Sequence, residues 1–442
     1  MLLIYAIDEN APRLNYILDE ILHQRFGLDY KITTSEEYFE NSQSPKINYS
    51  TQPFHRCINI PASNLLFEYE INKFNIYVSE NAVWQKLFFE EKLNEGNHIE
   101  VPKQHLAFDI LAASFYLISR YEEYLPTQRD KHGRYKHENS LAFKNNFLEL
   151  PLVDIWANEL KTVLLNEYPN LKIKNSEFEI CNSFDLDFPY KYLGLGFYRN
   201  LKKAIGNILR FDFEELKLQI SVISRKTKDP FDTYDLVIEE SKKTKAKTIF
   251  FFLLSQKETQ LDKNQNTNSI AFVELIKTLS QNFESGLHPS YFSSINEKVW
   301  LEEKRTYEKI TEKKLNISRN HFLKIDFPTS FQQLVKHTIS EDYSLAYSNA
   351  IGFRASTSFP FRFFDLQKNE TTNLIINPCC LMDVTLKDAM QLSPEMAIKK
   401  VIELKENVKN VSGNFISIWH NSSLSENKEW LGWSKVWKEI LN

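Results

Sequence analysis

Two aspartates lie one residue apart at the end of an apolar segment in "CNSFDLDFPY", where Asp185 and Asp187 alternate with Phe184 and Leu186. Side chains two residues apart point to the same face of an extended strand, so these two carboxylates should repel each other. A divalent cation would offset that repulsion and leave one carboxylate unbound as a base. The alternative is structural, because aspartate also favours helix N-caps and turns.

Other ionisable side chains follow later apolar segments in the same way. They are His288 after "NFESGL", Arg319 and His321 after "LNIS", Asp342 near "YSLAY", and His420 after "GNFISIW". In α/β barrels the active site forms at the carboxyl ends of the strands. Each residue alone also has a structural interpretation: Arg319 could simply pair with Asp342, for example, and His420 could simply be packed. Together they favour a metal hydrolase site.

The elements that would position these residues alternate between strand and helix from residue 178 onward, which is typical of an α/β domain with parallel strands. Six or seven strands in about 265 residues predict a TIM-like barrel rather than an open sheet. The predicted strands are "FEICNSF", "AKTIFFFLL", "NFESGL", "LNIS", a piece near "YSLAY", "NLIIN" and "GNFISIW". The predicted helices between them include "NSIAFVELIKTLSQ", "NEKVWLEEKRTYEKITE" and "PEMAIKKVIELKENVKNV".

A smaller α/β domain is predicted ahead of this barrel. We place the boundary near residue 172, giving domains 1–172 and 173–442. The strand "LLIYAID", an amphipathic helix closed by Gly27, and a long helix over residues 102–125 belong to the first domain. A polar cluster follows at the end of that helix, and it is interpreted either as a salt-bridged helix end packed on the barrel or as a substrate or partner site. Its members are Arg120, Glu122, Glu123, Asp130, His132 and Arg134.

Composition narrows the class of protein. The 54 basic and 58 acidic residues give a net charge of −4, which gives no support for a nucleic-acid partner. The four cysteines form no CxxC pattern, so free thiols in a reducing compartment are expected. The N-terminus is interpreted as a strand, not a signal peptide, and no apolar stretch approaches 18 residues. We therefore expect a cytoplasmic protein without a transmembrane segment. The oligomeric state is not predicted.

These motifs resemble those of the polysaccharide deacetylases, the NodB-homology carbohydrate esterases, whose fold is a distorted β/α barrel. The segments that carry the resemblance are "SFDLDF", "HPSYF", "SRNHF", "FISIWH" and "DYSLAYSNAIGFRASTSFPFRFFDL". The last is similar to a divergent branch common in Bacteroidetes-type bacteria, as is "FYLISRYEEY…DKHGRY" in the N-terminal part. In that branch an N-terminal domain of unknown function precedes the barrel. The resemblance thus implies a distorted TIM-like (β/α)7 deacetylase barrel after a smaller α/β domain.

The resemblance also implies roles for individual residues. Asp185 would be the general base, Asp187 and His288 metal ligands, and His420 the general acid. The family's second ligand histidine falls on Phe292, which cannot bind metal. We therefore expect His321 to supply the third ligand, or else a weakened metal site.

Four further residues complete the predicted site. Arg319 and Arg354 are expected to orient the base or the substrate. Asp342 and Trp419, which also lie at predicted strand ends, are expected to contact the substrate.

The implied function is removal of an N-acetyl or similar acyl group from a carbohydrate, with a divalent metal, most simply Zn²⁺, as cofactor. One alternative is a catalytically impaired deacetylase-like protein that binds carbohydrate in surface-polysaccharide assembly. A third hypothesis is a glycosidase that uses Asp185 and another carboxylate as an acid/base pair. That reaction would leave His288 and His420 without a role.

Overall fold

A computed structural model gives the fold of most of the chain. It describes residues 1–52, 54–79, 86–89, 105–244, 246–257, 259–263 and 266–442. The first three residues of the predicted helix over 102–125 lie outside the described residues. Within these ranges, no helix has both the length and the apolarity needed to cross a membrane.

The N-terminal part is built on a small parallel sheet. Its strands are β1 (Leu2–Ala6), β2 (Tyr30–Thr33), β3 (Lys46–Tyr49) and β4 (Ile58–Ile60), and a separate antiparallel pair is formed by β5 (Ile76–Val78) and β6 (Leu87–Phe89). The parallel strands have the order β2-β1-β3-β4. All of β1, "LLIYA", is buried, as expected for a central strand of a parallel sheet.

Helices cover this sheet. They are α1 (Pro12–Leu18), which continues as a π-helical segment (Asp19–Arg25), α2 (Glu36–Asn41), α3 (Ile110–Ile118), α4 (Tyr121–Tyr124), α5 (Leu141–Lys144) and α6 (Leu152–Glu167), with 3-10 turns at Asn64–Phe67 and His137–Asn139. The single helix predicted over 102–125 is broken at Arg120, which has a φ of 55°. The Arg120 guanidinium is buried and pairs with Glu122 at 2.7 Å and Glu123 at 2.9 Å. The break therefore places a buried ion cluster at the helix end.

The C-terminal part contains one nine-stranded sheet. Its strands are β7 (Glu179–Leu186), β8 (Lys247–Leu253), β9 (Glu284–His288), β10 (Ile317–Ser318), β11 (Glu341–Asp342), β12 (Phe361–Asp365), β13 (Glu370–Ile376), β14 (Leu381–Met382) and β15 (Asn414–His420). The order is β12-β13-β11-β10-β9-β8-β7-β15-β14. All neighbouring pairs are parallel except β12 and β13, which form an antiparallel hairpin.

Of the predicted distorted TIM-like (β/α)7 barrel, the structure shows a large α/β sheet but no closed barrel within the described residues. β12 and β14 lie at the two edges, and no pairing between the edges closes the sheet within the described residues. The sequence prediction missed β12 and β14, and the short strand predicted near "YSLAY" is present as Glu341–Asp342, directly before that segment. A two-residue strand such as β11 or β14 is too short to show the alternation from which a strand is predicted.

The C-terminal helices are α7 (Phe197–Leu209), α8 (Phe213–Ile223), α9 (Tyr234–Thr244), α10 (Ile270–Asn282), α11 (Glu297–Thr311), α12 (Thr329–Lys336), α13 (Pro394–Lys409) and α14 (Trp433–Leu441). Short helical segments lie at His321–Leu323, Thr385–Ala389 and Asn421–Leu424. The three helices predicted from the sequence are present as α10, α11 and α13. Helices α7 and α8, between β7 and β8, form an insertion of two helices where a single crossover is usual.

The two faces of β7 serve different cores. Phe184 and Leu186 pack into the large apolar cluster that runs through both parts of the chain. Cys181 points to the opposite side, into a smaller cluster with Phe251 and Ile418. Because side chains alternate along a strand, Asp185 lies on the same side as Cys181. The smaller cluster is therefore the floor beneath the predicted site.

Buried polar contacts join the N-terminal and C-terminal parts. The carboxylate of Asp154 accepts hydrogen bonds from Thr357 Oγ1 at 2.6 Å and from the Ser358 amide at 2.7 Å. Arg25 also pairs with it, at 2.8 Å. With the shared apolar cluster, these contacts fix the N-terminal part against the large sheet. The boundary near residue 172 stays a prediction.

Candidate metal and catalytic site

Strand register brings the predicted site residues to one edge of the sheet. Asp185 on β7 is directly opposite His420 on β15, and His288 ends β9, the second strand on the other side. Gly286 allows this packing, because a Cβ there would lie 2.5 Å from the Ile317 carbonyl oxygen of the neighbouring β10. The carboxyl ends of these strands therefore deliver their side chains to a common point.

Asp187, His288 and His321 form a cluster suited to a metal ion. Their candidate ligand atoms all lie within 4.8 Å of one another. His288 Nε2 is 3.4 Å from one carboxylate oxygen of Asp187, and His321 Nε2 is 3.3 Å from the other. Ligands held at 2.0–2.1 Å by a tetrahedral zinc ion are about 3.3 Å apart, so the spacing fits a shared cation. In addition, Asp187 Oδ1 is buried and accepts no hydrogen bond from any described residue.

Both histidines are oriented by hydrogen bonds through their other ring nitrogen. His288 Nδ1 lies 2.6 Å from the carbonyl oxygen of Arg319, and His321 Nδ1 lies 2.8 Å from a carboxylate oxygen of Asp262. Such partners are typical of metal-binding histidines, because they fix the tautomer that leaves Nε2 free. Sequence reasoning missed Asp262, which lies in a polar loop after β8 and has no strand-end pattern to mark it.

The charges of Asp187 and His321 depend on each other. Burial lowers the pKa of His321, but the carboxylates of Asp187 and Asp262 outweigh it and raise this pKa to about 9. Burial acts in the opposite direction on Asp187, where the two histidines hold the pKa well below its usual value. A cation that binds here therefore competes with a proton on His321.

Asp185 is held by a different partner. Its Oδ1 accepts a hydrogen bond from Arg319 Nη1 at 2.8 Å, and Arg319 Nη2 donates to Ser183 Oγ at 2.6 Å. Arg319 Nε donates to the Tyr343 carbonyl oxygen at 3.1 Å. The Nε, Nη1 and Nη2 atoms of this buried guanidinium thus each donate a hydrogen bond within the protein. Arg319 fixes one carboxylate oxygen of Asp185, and the second oxygen faces the metal cluster. His288 Nε2 lies 3.7 Å from that second oxygen.

His420 is a further neighbour of Asp187, with its Nε2 atom 3.7 Å from the Asp187 Oδ2 atom. Its Nδ1 is 2.9 Å from Asp383, whose carboxylate also accepts the His420 amide at 2.8 Å and the Ser423 hydroxyl. Burial lowers the pKa of His420, but the hydrogen bond and charge of Asp383 raise it more strongly, to about 10. Asp383 was also missed from the sequence, although it follows β14 as the other site residues follow their strands.

Phe292, the position at which the resemblance places a second ligand histidine, takes no part in this cluster. Phe292 lies four residues after His288 and is 41% exposed, outside the cluster. His321, from the end of the neighbouring β10, stands beside His288 with ring centroids 5.1 Å apart. The structure thus brings the sequence-predicted set Asp187, His288 and His321 together.

Arg354 does not reach Asp185. Its guanidinium is buried against Glu123 of the N-terminal part, with contacts of 2.9 Å and 2.6 Å, and it donates to the Ala346 carbonyl oxygen at 3.0 Å. The two arginines Arg120 and Arg354 hold the pKa of Glu123, despite its burial, down at about 2. We therefore correct the expected orienting role of Arg354: it joins the two parts of the chain, whereas Arg319 contacts the predicted base.

Asp342 and Trp419 are likewise outside the cavity. Trp419 precedes His420 and so lies on the opposite face of β15, fully buried in the large apolar cluster. Asp342 is buried behind Arg319, where Ser344 donates to it from its amide at 2.7 Å and from its hydroxyl at 2.9 Å. The expectation that these two residues contact a substrate is corrected on this geometry.

Asp342 provides a test of this placement. Burial raises its pKa to about 7. A carboxyl group whose folded pKa is raised contributes stability that is full below its unfolded pKa and is lost as pH rises through the folded value. Asp342→Asn removes this titration. Between pH 5 and pH 8 the wild type should therefore lose about 2 kcal/mol more of its free energy of unfolding than the variant does. Denaturant unfolding of both proteins at the two pH values measures this difference. Parallel pH profiles would contradict it, and Asp388→Asn, at an exposed carboxylate, is the matched control.

A cavity of about 710 Å³ opens over the cluster. Its floor contains Asp185, Asp187, His288, His321 and His420. Its wall includes Phe322, Leu323, Ser348, Asn349, Met382 and Val384, together with Arg129, Asp130, Lys131, His132, Arg134 and Lys136 of the N-terminal part.

The six residues of the polar cluster predicted in the N-terminal part lie in two different places. Arg120, Glu122 and Glu123 form the buried ion cluster at the helix end. Asp130 and Arg134 pair with each other at 2.8 Å and, with His132, line the cavity. The interpretation as a salt-bridged helix end thus fits Arg120, Glu122 and Glu123, whereas a substrate or partner site at Asp130, His132 and Arg134 stays a prediction.

Comparisons with known proteins give a match in the N-terminal part. Residues 2–169 match the model of a family of unknown function (DUF7033). No curated protein matches this chain.

Solved structures similar to this chain share little sequence with it. A provisionally assigned polysaccharide deacetylase from Mycobacterium smegmatis is 11% identical with a TM-score of 0.40, over 61% of this chain and 85% of its own. A CE4 family pseudoenzyme from Bacillus anthracis is 11% identical with a TM-score of 0.28, over 60% and 66%. Puue allantoinase is 10% identical with a TM-score of 0.37, over 60% and 84%. At these scores we base no conclusion on the likenesses, and the proposal below rests on the site itself.

Proposed function

We propose that this protein is a divalent-metal-dependent hydrolase that removes an N-acetyl or similar acyl group from a carbohydrate. The observation that carries the proposal is the convergence, in one cavity, of a candidate metal cluster with a separately held carboxylate and a separately held imidazole. The cluster is Asp187, His288 and His321. The two further groups are Asp185 on Arg319 and His420 on Asp383.

The donor set fits a catalytic zinc ion. Two imidazole nitrogens and one carboxylate, with room left for water and substrate, are typical of such sites. The buried Asp187 oxygen that accepts no hydrogen bond, and the partners of both histidine Nδ1 atoms, support the same assignment. Asp185 would stay outside the ligand set, because Arg319 already holds one of its oxygens.

The chemistry divides among the remaining residues. A bound divalent cation supplies polarisation of the acyl carbonyl and a lowered pKa for water. Asp185 accepts the proton of the attacking water, with Arg319 fixing the orientation of its carboxylate. His420 donates a proton to the departing nitrogen, and Asp383 keeps its ring aligned for that transfer. The products would be a carboxylate and a free amino sugar.

The rival functions have less support. The catalytically impaired alternative rested on Phe292, and His321 offers the nitrogen that Phe292 lacks. For the glycosidase alternative, the carboxylates described in the cavity lining are Asp130, Asp185 and Asp187. Asp130 pairs with Arg134 and Asp187 faces the histidines, so Asp185 has no free carboxylate as its acid/base partner.

The cavity wall favours a substrate that carries negative charge. Arg129 lines the cavity: its Nη2 atom donates to the Glu123 carbonyl oxygen at 3.2 Å, and its Nη1 atom donates to no described residue. A guanidinium with an N–H group to spare suits an anionic group of a substrate, once the side chain turns toward the cavity. Lys131 and Lys136 lie on the same wall. We assign this wall to a phosphate or carboxylate group of the carbohydrate.

Arg129→Gln tests that assignment. For an N-acetylated amino sugar that bears a phosphate, the variant should lose about tenfold in kcat/KM, equal to about 1.4 kcal/mol. For the neutral sugar its kcat/KM should stay near that of the wild type. Lys144→Gln, an exposed lysine outside the cavity, is the control. Equal losses for both sugars would contradict the anionic substrate and leave the hydrolase proposal standing.

The proposed reaction itself is tested by measuring acetate release from N-acetylated saccharides. Protein loaded with one equivalent of zinc should release acetate, and protein treated with a chelator should not until zinc is restored. Metal-loaded protein that binds saccharides without releasing acetate would favour the catalytically impaired alternative.

A further inference from the structure

Helices α7 and α8 form a hairpin that exposes an apolar face. Of the 23 large apolar side chains that are exposed in the described part of the chain, ten lie within residues 197–223. They are Phe197, Tyr198, Leu201, Ile205, Ile208, Leu209, Phe211, Phe213, Ile220 and Ile223. In α7 the positions 197, 201, 205 and 208 follow helical spacing and so share one face. A soluble protein rarely exposes so continuous an apolar patch unless it binds something.

The hairpin is ordered but almost unburied. No residue of α7 is buried, and α8 buries only Gln219 and Val222. Its base is nevertheless firmly attached, because Asp229 accepts hydrogen bonds from the amides of Lys191 and Tyr192, both at 2.8 Å. The two helices therefore project from the molecule as a preformed unit, and their apolar face has no partner within the described chain.

Charge distinguishes the possible occupants. Residues 196–226 contain seven basic and three acidic side chains, a net charge of +4, whereas the whole chain carries −4. Two copies of the hairpin meeting across a two-fold axis would bring these cations together. An anionic lipid surface complements both features, since apolar side chains enter the acyl boundary while Lys and Arg contact the headgroups.

The hairpin also begins at the edge of the sheet that holds the site. Helix α7 starts ten residues after Asp187. The connecting segment is held by Asn421, which follows His420 in the chain. The side-chain amide of Asn421 donates to the Phe188 carbonyl oxygen at 3.0 Å. A surface bound by the hairpin therefore lies on the cavity's side of the molecule.

We propose that the α7–α8 hairpin docks this protein onto an anionic lipid bilayer, with the hairpin lying in the headgroup region rather than spanning the membrane. This inference rests on the exposed face and its charge, so it stands whether or not the proposed reaction is correct.

Vesicle co-sedimentation of the full chain tests the docking. The wild type should bind vesicles containing phosphatidylglycerol, bind phosphatidylcholine vesicles at least about tenfold more weakly, and lose most anionic binding at 1 M salt, where the Debye length is only about 3 Å. The triple variant Phe197→Ser/Ile205→Ser/Leu209→Ser should bind at least about tenfold more weakly than the wild type. The control is Ile270→Ser/Ile295→Ser/Met396→Ser, at apolar side chains that are exposed elsewhere to a similar degree.

The charge of the hairpin is tested separately with Lys202→Glu/Arg210→Glu, which should remove the preference for anionic vesicles. Circular dichroism and thermal unfolding verify that each variant is folded. Absence of vesicle binding, or equal loss in the control, would overturn the proposal. So would a lipid-free dimer, seen by sedimentation, that dissociates in the hairpin variant, since a second copy would then cover the face.

Discussion

Asp185→Asn should lower kcat/KM for acyl release by about 10³-fold while leaving the metal content of the protein unchanged. Asparagine preserves the shape of the side chain and can still accept the hydrogen bond from Arg319 Nη1. It cannot accept the proton of the attacking water. The loss should therefore fall on catalysis alone.

Steady-state kinetics and elemental analysis of the same preparation separate these effects. Ser183→Ala is a useful companion, because it removes the hydrogen bond from Arg319 Nη2 to Ser183 Oγ and leaves the bond from Nη1 to Asp185 in place, so it should retain most activity. If Asp185→Asn loses metal as fully as activity, Asp185 is a ligand and its assignment as base is wrong.

Asp187→Asn should lose both the metal and the activity. This residue faces His288, His321 and His420 at 3.3–3.7 Å, and it would supply the only anionic ligand of the cluster. Removal of an outer partner alone costs about 10- to 100-fold in metal affinity, and loss of the charged ligand should cost more. Titration with zinc, followed by calorimetry, measures the affinity directly. Retention of stoichiometric metal at wild-type affinity would contradict the proposed ligand set.

The pair of variants is informative because the two carboxylates are so similar in sequence. They lie two residues apart, Asp185 within β7 and Asp187 directly after it, and their partners differ. Opposite effects on metal content would show that Arg319 on one side and two histidines on the other determine the roles.

Reasoning from strand ends in the sequence identified the residues of the metal cluster and the two ionisable groups beside it. Asp185, Asp187, His288, His321 and His420 each follow an apolar segment, and the structure places all five in the lining of one cavity. Their catalytic and ligand roles stay predictions. The reasoning succeeds here because parallel strands deliver their carboxyl ends to the same edge.

The same reasoning failed where it ignored which face a side chain occupies. Trp419 was placed in the site with its neighbour His420, but alternation along β15 sends the two side chains to opposite faces. Asp342 ends a strand too, yet it is buried behind Arg319. Arg354 was assigned from resemblance, and its partner Glu123 is 231 residues away in the chain, a pairing that no local pattern reveals.

Other features required the folded chain. Asp262 comes from a polar loop, and its importance is visible only in its contact with His321. The open ends of the large sheet depend on β12 and β14, which are an unanticipated hairpin strand and a two-residue strand. The N-terminal wall of the cavity arises from packing between distant segments, which the sequence suggested only as one of two interpretations.

The central claim is that Asp187, His288 and His321 hold a metal ion, and elemental analysis of the wild type and of His321→Ala tests it most directly. After incubation with zinc and removal of the excess, the wild type should contain one metal per chain and His321→Ala should contain almost none. His132→Ala, which alters the cavity wall outside the cluster, should retain the metal. A wild type without metal even after zinc addition would contradict the claim, and a His321→Ala variant that keeps stoichiometric metal would exclude His321 as a ligand.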